Sequence, residues 1–485
     1  MTARCIMVLG TTSGAGKSWL TTALCRWYSN QGLRVAPFKA QNMSNNARVV
    51  SATDGGYGEI GSAQYFQALA ARAIPDVRMN PLLLKPEADT HSQVVLLGKV
   101  NKELTDLPWR GRSAKVWPQI AQSLDALRAE NDVIVIEGAG SPAEINLHAS
   151  DVVNMRVARY ANARCLLVSD IDRGGAFAHL YGTWALLPED EQALIKGFVL
   201  NKFRGDAKLL APAPQMLFER TGIPVAATIP MQWNHGLPEE DGVFDDRAQG
   251  SQGAVHTRVA VVAYPRISNL DEFQPLKNVS GVRLNWARSP ADVEGADWIV
   301  LPGSKSTAAD LAWLRAQGLD AAIAAHAAKG GMVLGVCGGL QMLGEALVDT
   351  EGVDGNAAGL GLLPLVTSFE ATKTVQLTDT RFGEVTGGWR ALSGVEVRGY
   401  EIHHGQTAQH PAMAAAGDNA RVVIPGMAWQ NGAGNVLGLY LHGMFEDGKV
   451  LQALFGADTL TLETVFERMA LGVGEWFDPA ALALD

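Results

Sequence analysis

The chain has little of what staples or anchors a small fold. Its 485 residues include four cysteines, Cys5, Cys25, Cys165 and Cys337, and none stands in a CxxC pair. Zinc ribbons and disulfide frameworks are therefore excluded, and a reducing cytoplasm is the expected compartment. No apolar run approaches the length of a membrane span. The opening run IMVLG is too short for a signal-peptide core and passes straight into a glycine loop, so it reads as a first strand. Tandem repeats and low-complexity tracts are absent. Excess positive charge is lacking too: 40 basic residues face 50 acidic ones, net −10. Nucleic acid and anionic membranes are poor partners for such a chain, although a local basic pocket can still hold phosphate or carboxylate. What is abundant is apolar residues, 47%, and glycine, 52 residues against 21 prolines. This favours a loop-rich α/β enzyme with real cores over a disordered or collagen-like chain.

Short apolar runs alternate with helical patterns throughout. IMVLG, RVAPF, VIVIE, CLLVSD and GFVLN read as buried parallel strands of a first domain. RVAVVAY, DWIVLPGS, GMVLGVC and VLGLYLHG read likewise for a second. Between the first two strands, Ser18–Gln31 sets Leu20, Ala23, Leu24 and Trp27 on one helical face, with Gly32 as the stop. The pattern predicts two doubly wound α/β domains. The polar, glycine-containing stretch PEEDGVFDDRAQGSQGAVHT suits a linker. The expected division is a P-loop synthetase domain over 1–240, a linker over 241–256, a second domain over 257–447, and a helical extension over 448–485 that closes the second domain.

IMVLG leads into GTTSGAGKS and then a helix. Gly10, Gly14 and Gly16 allow a tight turn whose N–H groups, with those of Thr11 and Thr12, point inward. Lys17 adds a mobile positive charge, and Ser18 offers a hydroxyl to Mg2+. The helix N-terminus behind them favours an anion. The first glycine, Gly10, stands six residues before Gly16, one more than in G-x-x-x-x-G-K-[ST], whose first position falls on Thr11. This longer loop is similar to the P-loop of dethiobiotin synthetase. Glu137, ending VIVIE, and Glu59, in GGYGEIG, are the acidic candidates for the metal. Asp170, Asp172 and Arg173, in SDIDRGG, are candidates for positioning substrate or a transferred phosphoryl group, or form a simple ion pair. Asn201, ending GFVLN, is placed to read an adenine edge. Lys39, in FKAQNMSNN, is placed to neutralise phosphate or a substrate carboxylate.

GMVLGVCGGLQMLG carries the chemistry of the second half. A buried strand ends at Val336, Cys337 follows, and Gly338 and Gly339 precede a helix. A nucleophile on such an elbow projects from the sheet, with backbone N–H groups beside it for an oxyanion. Gly338 and, from LPGSKST, Gly303 are the candidates for that hole. Cys5, Cys25 and Cys165 lie on strand or helix patterns and read as structural. His442, just past the strand in LGLYLHGMFED, is the candidate base for Cys337, with His403 and His404 of GYEIHHG as the alternative pair.

Taken together, GTTSGAGKS, FKAQNMSNN, MNPLLLKP, EGAGSPAEINL, SDIDRGGAF, LNKFRGD, PRISNLDEFQPL, LPGSKST, GVCGGLQMLG, GYEIHHG and YLHGMFED, in that order, resemble the cobyric acid synthases of cobalamin biosynthesis. The resemblance spans nearly the whole chain. It implies an N-terminal half like dethiobiotin synthetase and a C-terminal half like class I glutamine amidotransferases. It further implies ATP- and glutamine-dependent amidation, with Mg2+, of the b, d, e and g carboxylates of adenosylcobyrinic acid a,c-diamide. The family's nucleophile falls on Cys337 and its histidine on His442. Class I enzymes usually carry a Glu two residues after that histidine, where this chain has Met444. Glu446, Asp447 or a backbone carbonyl remain as groups to orient His442. Asp151 and His148, after EGAGSPAEIN, are further candidates for contacting substrate, with helix-cap roles as the alternative. The sister enzyme cobyrinic acid a,c-diamide synthase is the nearest rival; a partition-type P-loop switch with a degenerate amidase half is the more distant one. Oligomeric state is not legible.

Overall fold

The computed structural model describes residues 2–88, 91–233, 235–238, 254–456 and 460–483. Arg4–Gly10 lies inside a six-stranded sheet, between Val133–Glu137 and Arg164–Asp170. Ile195–Phe203 and then Val225–Pro230 extend one side, and Val35–Phe38 closes the other. All six strands are parallel, and their interiors are apolar because helices cover both faces. Val225–Pro230 is an edge strand that the apolar runs did not single out. The chain leaves Arg4–Gly10 toward one edge and later returns to fill the other. That topological switch point puts the ligand crevice at the carboxyl ends of the central strands.

The first helix, Lys17–Asn30, buries Leu20, Ala23 and Leu24 as its spacing predicts. Gly32 follows at φ 79°, the left-handed turn that ends such a helix.

The second lobe holds a seven-stranded sheet ordered Val282–Ala287, Thr257–Val262, Trp298–Leu301, Met332–Val336, Val436–Leu439, Ala428–Gln430 and Arg421–Ile424. The first five are parallel, Ala428–Gln430 runs antiparallel to them, and Arg421–Ile424 runs antiparallel to Ala428–Gln430. A long antiparallel hairpin, Leu365–Arg381 with Glu396–Gln409, stands beside it and carries GYEIHHG.

The tail corrects the expected organisation. Gly448–Phe455 does pack Val450 and Leu451 into the second core. Leu462–Trp476 does not: Val465, Phe466, Met469 and Val473 join Leu20, Leu24 and Tyr28 in a core of the first lobe. Burying each such side chain is worth roughly 1.5–3 kcal/mol. The docking is also polar. Arg26, fully buried, pairs with Glu463 and, at 3.0 Å, with Glu467. The Tyr28 hydroxyl donates to the Leu482 carbonyl at 2.9 Å. Residues 241–253 of the expected linker lie outside the described residues. No helix among the described residues is long and apolar enough to cross a membrane.

Candidate functional site

The strand Arg4–Gly10 delivers the glycine loop to the sheet's carboxyl edge. Gly14 and Gly16 adopt φ 72° and 94°, and a Cβ on Gly16 would sit 2.0 Å from Asn201 Nδ2. Only glycine lets the strand end of Asn201 come that close. Lys17 Nζ curls under the loop to donate to the carbonyls of Thr12 (3.0 Å) and Gly140 (3.1 Å). A side chain on Gly10 would block it, with Nζ 2.9 Å from the added Cβ. Thr11 serves the sheet instead: its N–H donates to the Val168 carbonyl and its hydroxyl to Ser169 Oγ.

Glu137, buried at the end of its strand, collects three donors. Ser18 Oγ and Lys39 Nζ reach Oε1 at 2.8 and 2.9 Å, and Gln67 Nε2 reaches Oε2 at 2.6 Å. Burial alone would raise its pKa, but Lys39 and the Gln67 and Ser18 hydrogen bonds hold the carboxyl below its ordinary range. Ser18 and Glu137 are hard oxygen donors beside an anion-binding loop. Among the described residues, no group of three or more His, Cys, Asp or Glu forms a metal cage. Ser18 Oγ and Glu137 Oε1, 2.8 Å apart at the cavity wall, fit a cation whose other ligands are phosphate oxygens and water, as Mg2+ prefers.

Glu59 does not belong to this set, which corrects its assignment as a metal ligand. It does not line the loop's cavity: the hairpin Ala47–Ser51 with Tyr57–Gly61 turns it away, to pair with Lys85 and with Lys373 of the other lobe. Burial opposes its charge, yet the two lysines keep its carboxyl far below the usual range.

A cavity of about 1450 Å³ opens over the loop, larger than the ~300–1,000 Å³ usual for drug-sized ligands. Gly14, Gly16, Lys17, Ser18, Lys39 and Glu137 line it, as do Asp151, Asp170, Asp172, Arg173 and Asn201. Gly10, Thr11 and Thr12 stand behind that wall. Several of the lining groups are braced by the protein. Asp151 caps the N–H groups of Val153 and Asn154 at 3.0 Å. His148 meets Glu191 at 2.9 Å. Asp170 faces Lys202 at 3.2 Å and Arg173 at 3.5 Å, and Asp172 accepts from Arg204 at 2.6 Å. Asn201 donates to the Ala15 carbonyl at 2.8 Å and accepts from the Lys202 N–H, tying its strand to the loop. Leu270, Asp271, Gln274 and Lys277 of the second lobe complete the far wall.

The strand Met332–Val336 ends at Cys337, which takes φ 51°, a strained value for a residue with a Cβ. The strain is held by its N–H, which donates to the Leu439 carbonyl at 2.8 Å, and by the helix Gly338–Leu343 behind it. Gly339 permits that helix to press on the sheet: a Cβ there would lie 1.9 Å from the Leu301 carbonyl oxygen. Gly303 and Gly338 flank the thiol. An added Cβ on Gly303 would sit 3.1 Å from His442 Cε1, and one on Gly338 2.8 Å from the Ser304 nitrogen. His442 lies close enough to Cys337 for their charges to interact, while the thiol itself donates to the Ile402 carbonyl at 3.5 Å. Its Nδ1 donates to Glu272 Oε1 at 3.0 Å, while Glu272 Oε2 accepts the Gly443 N–H at 2.8 Å. Burial pulls the imidazole pKa down, but Glu272 and Cys337 together push it up to about 10.

Glu272 is the group missed in the sequence. It sits within PRISNLDEFQPL, on the short 3-10 helix Leu270–Phe273, and only folding brings it to His442. The two acids considered for that place are otherwise engaged. Glu446 pairs with Arg48 at 2.6 Å, and Asp447 caps the Lys449 N–H at 2.9 Å. The alternative bases are also occupied. His403 donates through Nδ1 to the Gly405 carbonyl at 2.8 Å and faces Glu401 at 3.2 Å. His404 donates to the Glu370 carbonyl at 3.0 Å, and burial with Lys373 nearby pushes its pKa down to about 4.

The same turn thus faces two ways: Leu270 and Asp271 line the phosphate-loop cavity, and Glu272 holds His442 at the thiol site. Residues 6–241 match the CobQ/CobB/MinD/ParA nucleotide binding domain, and residues 258–450 the CobB/CobQ-like glutamine amidotransferase domain. Fold and comparisons define the class, a nucleotide-binding lobe fused to a glutamine amidotransferase lobe in a glutamine-hydrolysing ligase. The chain is 82% identical to the cobyric acid synthase of Acidovorax sp. (strain JS42), over 99% of this chain and 97% of that one. It is 80% identical to that of Acidovorax ebreus (strain TPSY), over 99% of both, and 63% identical to that of Methylibium petroleiphilum (strain ATCC BAA-1232 / LMG 22953 / PM1), over 99% and 96%. It belongs to the cobyric acid synthase family.

Proposed function

We propose that the protein amidates the b, d, e and g carboxylates of adenosylcobyrinic acid a,c-diamide in the cytoplasm, with glutamine as nitrogen donor and ATP as activator. The observation that carries this reading is the single turn separating a cavity of macrocycle size from a Cys–His–Glu site.

Cys337 attacks the glutamine carboxamide as a thiolate paired with the His442 imidazolium, which then gives its proton to the departing ammonia. Glu272 holds the imidazole by Nδ1, which leaves the other ring nitrogen for sulfur, and stabilises the imidazolium. The amides of Gly303 and Gly338 receive the oxyanion. Water then hydrolyses the thioester to glutamate and restores the thiol. In the cavity, the loop N–H groups and Lys17 hold the triphosphate, and Lys39 and Arg173 balance its charge or that of the substrate. Ser18 and Glu137 would hold Mg2+, which neutralises charge on the phosphates. A peripheral carboxylate of the corrinoid attacks the γ-phosphorus, ADP leaves, and ammonia displaces phosphate from the acyl phosphate. Ammonia must cross unprotonated, which requires a passage closed to bulk water.

The test is mass spectrometry of the corrinoid after incubation with glutamine and ATP. The a,c-diamide is expected to gain amides stepwise up to the fully amidated product. Turnover of cobyrinic acid alone, stopping at the a,c-diamide, would assign the sister reaction instead.

A further inference from the structure

We propose that Arg48, a residue of the nucleotide-binding lobe, is a positioning residue for glutamine hydrolysis in the other lobe, acting through the Leu270–Phe273 turn. The inference rests on the Cys–His–Glu reading above and adds to it a group from across the lobe boundary.

Arg48 lies on the strand Ala47–Ser51 and is 1% exposed. Its guanidinium pairs with Asp271, the neighbour of Glu272, and with Glu446 at 2.6 Å. The rings of Tyr65, Phe66 and Tyr400 surround it at 5.6, 5.0 and 5.1 Å. Its two preceding residues grip the same turn. Asn46 Oδ1 accepts the Leu270 N–H at 3.1 Å, and the Ala47 carbonyl accepts from Asn269 Nδ2 at 2.6 Å. Asn269 also donates to the Tyr400 hydroxyl at 2.8 Å, and Tyr400 stacks on the His442 ring with centroids 5.3 Å apart. The imidazole is thus fixed at its edge by Glu272 and over its face by Tyr400, and both supports lean on residues 46–48.

Other ion pairs join the lobes, such as Lys305 with Glu87 at 3.2 Å and Lys373 with Glu59. They bind neither the turn nor the base. Arg48 differs because removing it leaves Asp271 buried without its cation. An unpaired buried carboxylate is costly enough to make its backbone shift toward water. Glu272 is the next residue and must move with it. A misplacement of about 1 Å near reacting groups is enough to cost ~10²-fold in rate.

The experiment compares Arg48→Met and Arg48→Lys with the unsubstituted full chain. It follows glutamine hydrolysis (kcat and KM) and ATP-driven synthesis from added ammonium on the same preparations. Arg48→Met is expected to lose about tenfold or more in kcat for glutamine while KM stays within about threefold. Ammonium-dependent synthesis should fall by no more than about threefold, clearly less than glutamine hydrolysis, because the turn only borders that cavity. Arg48→Lys should recover part of the loss, since an ammonium still neutralises Asp271 but cannot span both carboxylates. Unchanged glutamine hydrolysis in Arg48→Met, or an equal fall with both nitrogen sources, would overturn the proposal. If Arg48→Met does not fold, Asn269→Ala decides: the same kcat-selective loss supports it, and intact hydrolysis overturns it. Failure of the unsubstituted protein to hydrolyse glutamine would be a different result, overturning the proposed function itself.

Discussion

The phosphate loop and the thiol elbow occupy equivalent places, each at the carboxyl ends of parallel strands, but they are built for different tasks. The thiol elbow is closed and determined: Cys337, His442 and Glu272 are all buried, and each is fixed by hydrogen bonds of 2.8–3.0 Å. The phosphate-loop side is a cavity of about 1450 Å³ whose chief cations, Lys17 and Lys39, are long side chains resting on protein oxygens. Nucleophilic attack needs a pre-set geometry in which a small substrate reacts the same way each time. Under the proposed function, activating several carboxylates around one macrocycle needs room and adaptable charge. One rigid site and one roomy site, sharing a turn as their wall, is the arrangement that satisfies both.

The largest effects should come from a mirror pair of substitutions that break the two regions separately. We predict that Cys337→Ser abolishes synthesis from glutamine and keeps synthesis from ammonium within about twofold. Lys17→Ala should cut synthesis from either source by about 10²–10³-fold while glutamine hydrolysis survives, as expected for losing a phosphate-neutralising cation. Loss of both nitrogen sources in Cys337→Ser would erase the division between the regions.

A smaller effect sharpens the rigid side. Glu272→Gln should lower kcat for glutamine hydrolysis by roughly 10- to 1,000-fold with little change in KM, since the tautomer and imidazolium are no longer supported. The same pair predicts a pH signature. With its pKa raised to about 10, charged His442 contributes stability that is fully present below the ordinary imidazole value near 6.5 and is lost as pH climbs through about 10. Thermal melts should therefore show the gap between native protein and His442→Gln closing over that window. A gap that does not change from pH 6 to pH 10 would contradict the ion pair.

The smallest effect concerns the scaffold. Glu463→Ala combined with Glu467→Ala leaves Arg26 buried without a carboxylate. The first lobe should lose about 2 kcal/mol of stability, seen as an earlier unfolding transition, with glutamine hydrolysis at low temperature unaffected. An equal shift in the second lobe's melting would reassign the tail.

Much of both regions was readable because short segments prescribe them. GTTSGAGKS and GVCGG each demand a tight turn between strand and helix, and His442 follows its strand directly. Glu272 was not readable: it stands 170 residues from His442 along the chain. Its motif looked like family signature rather than catalytic machinery. Glu59 was misread for the converse reason. An acid in a glycine-rich stretch resembles a metal ligand until a hairpin turns it to Lys373, 314 residues away. The tail misled because an amphipathic helix shows that it will bury a face, not against which lobe.

By itself, the sequence determined the glycine turns, the elbow that carries Cys337 and the alternating strands and helices, since steric and hydrophobic periodicity act within a few residues of neighbours. Only the tertiary structure decided which buried carboxylate meets which cation. A charge taken out of water must find its partner wherever packing brings one, regardless of distance along the chain.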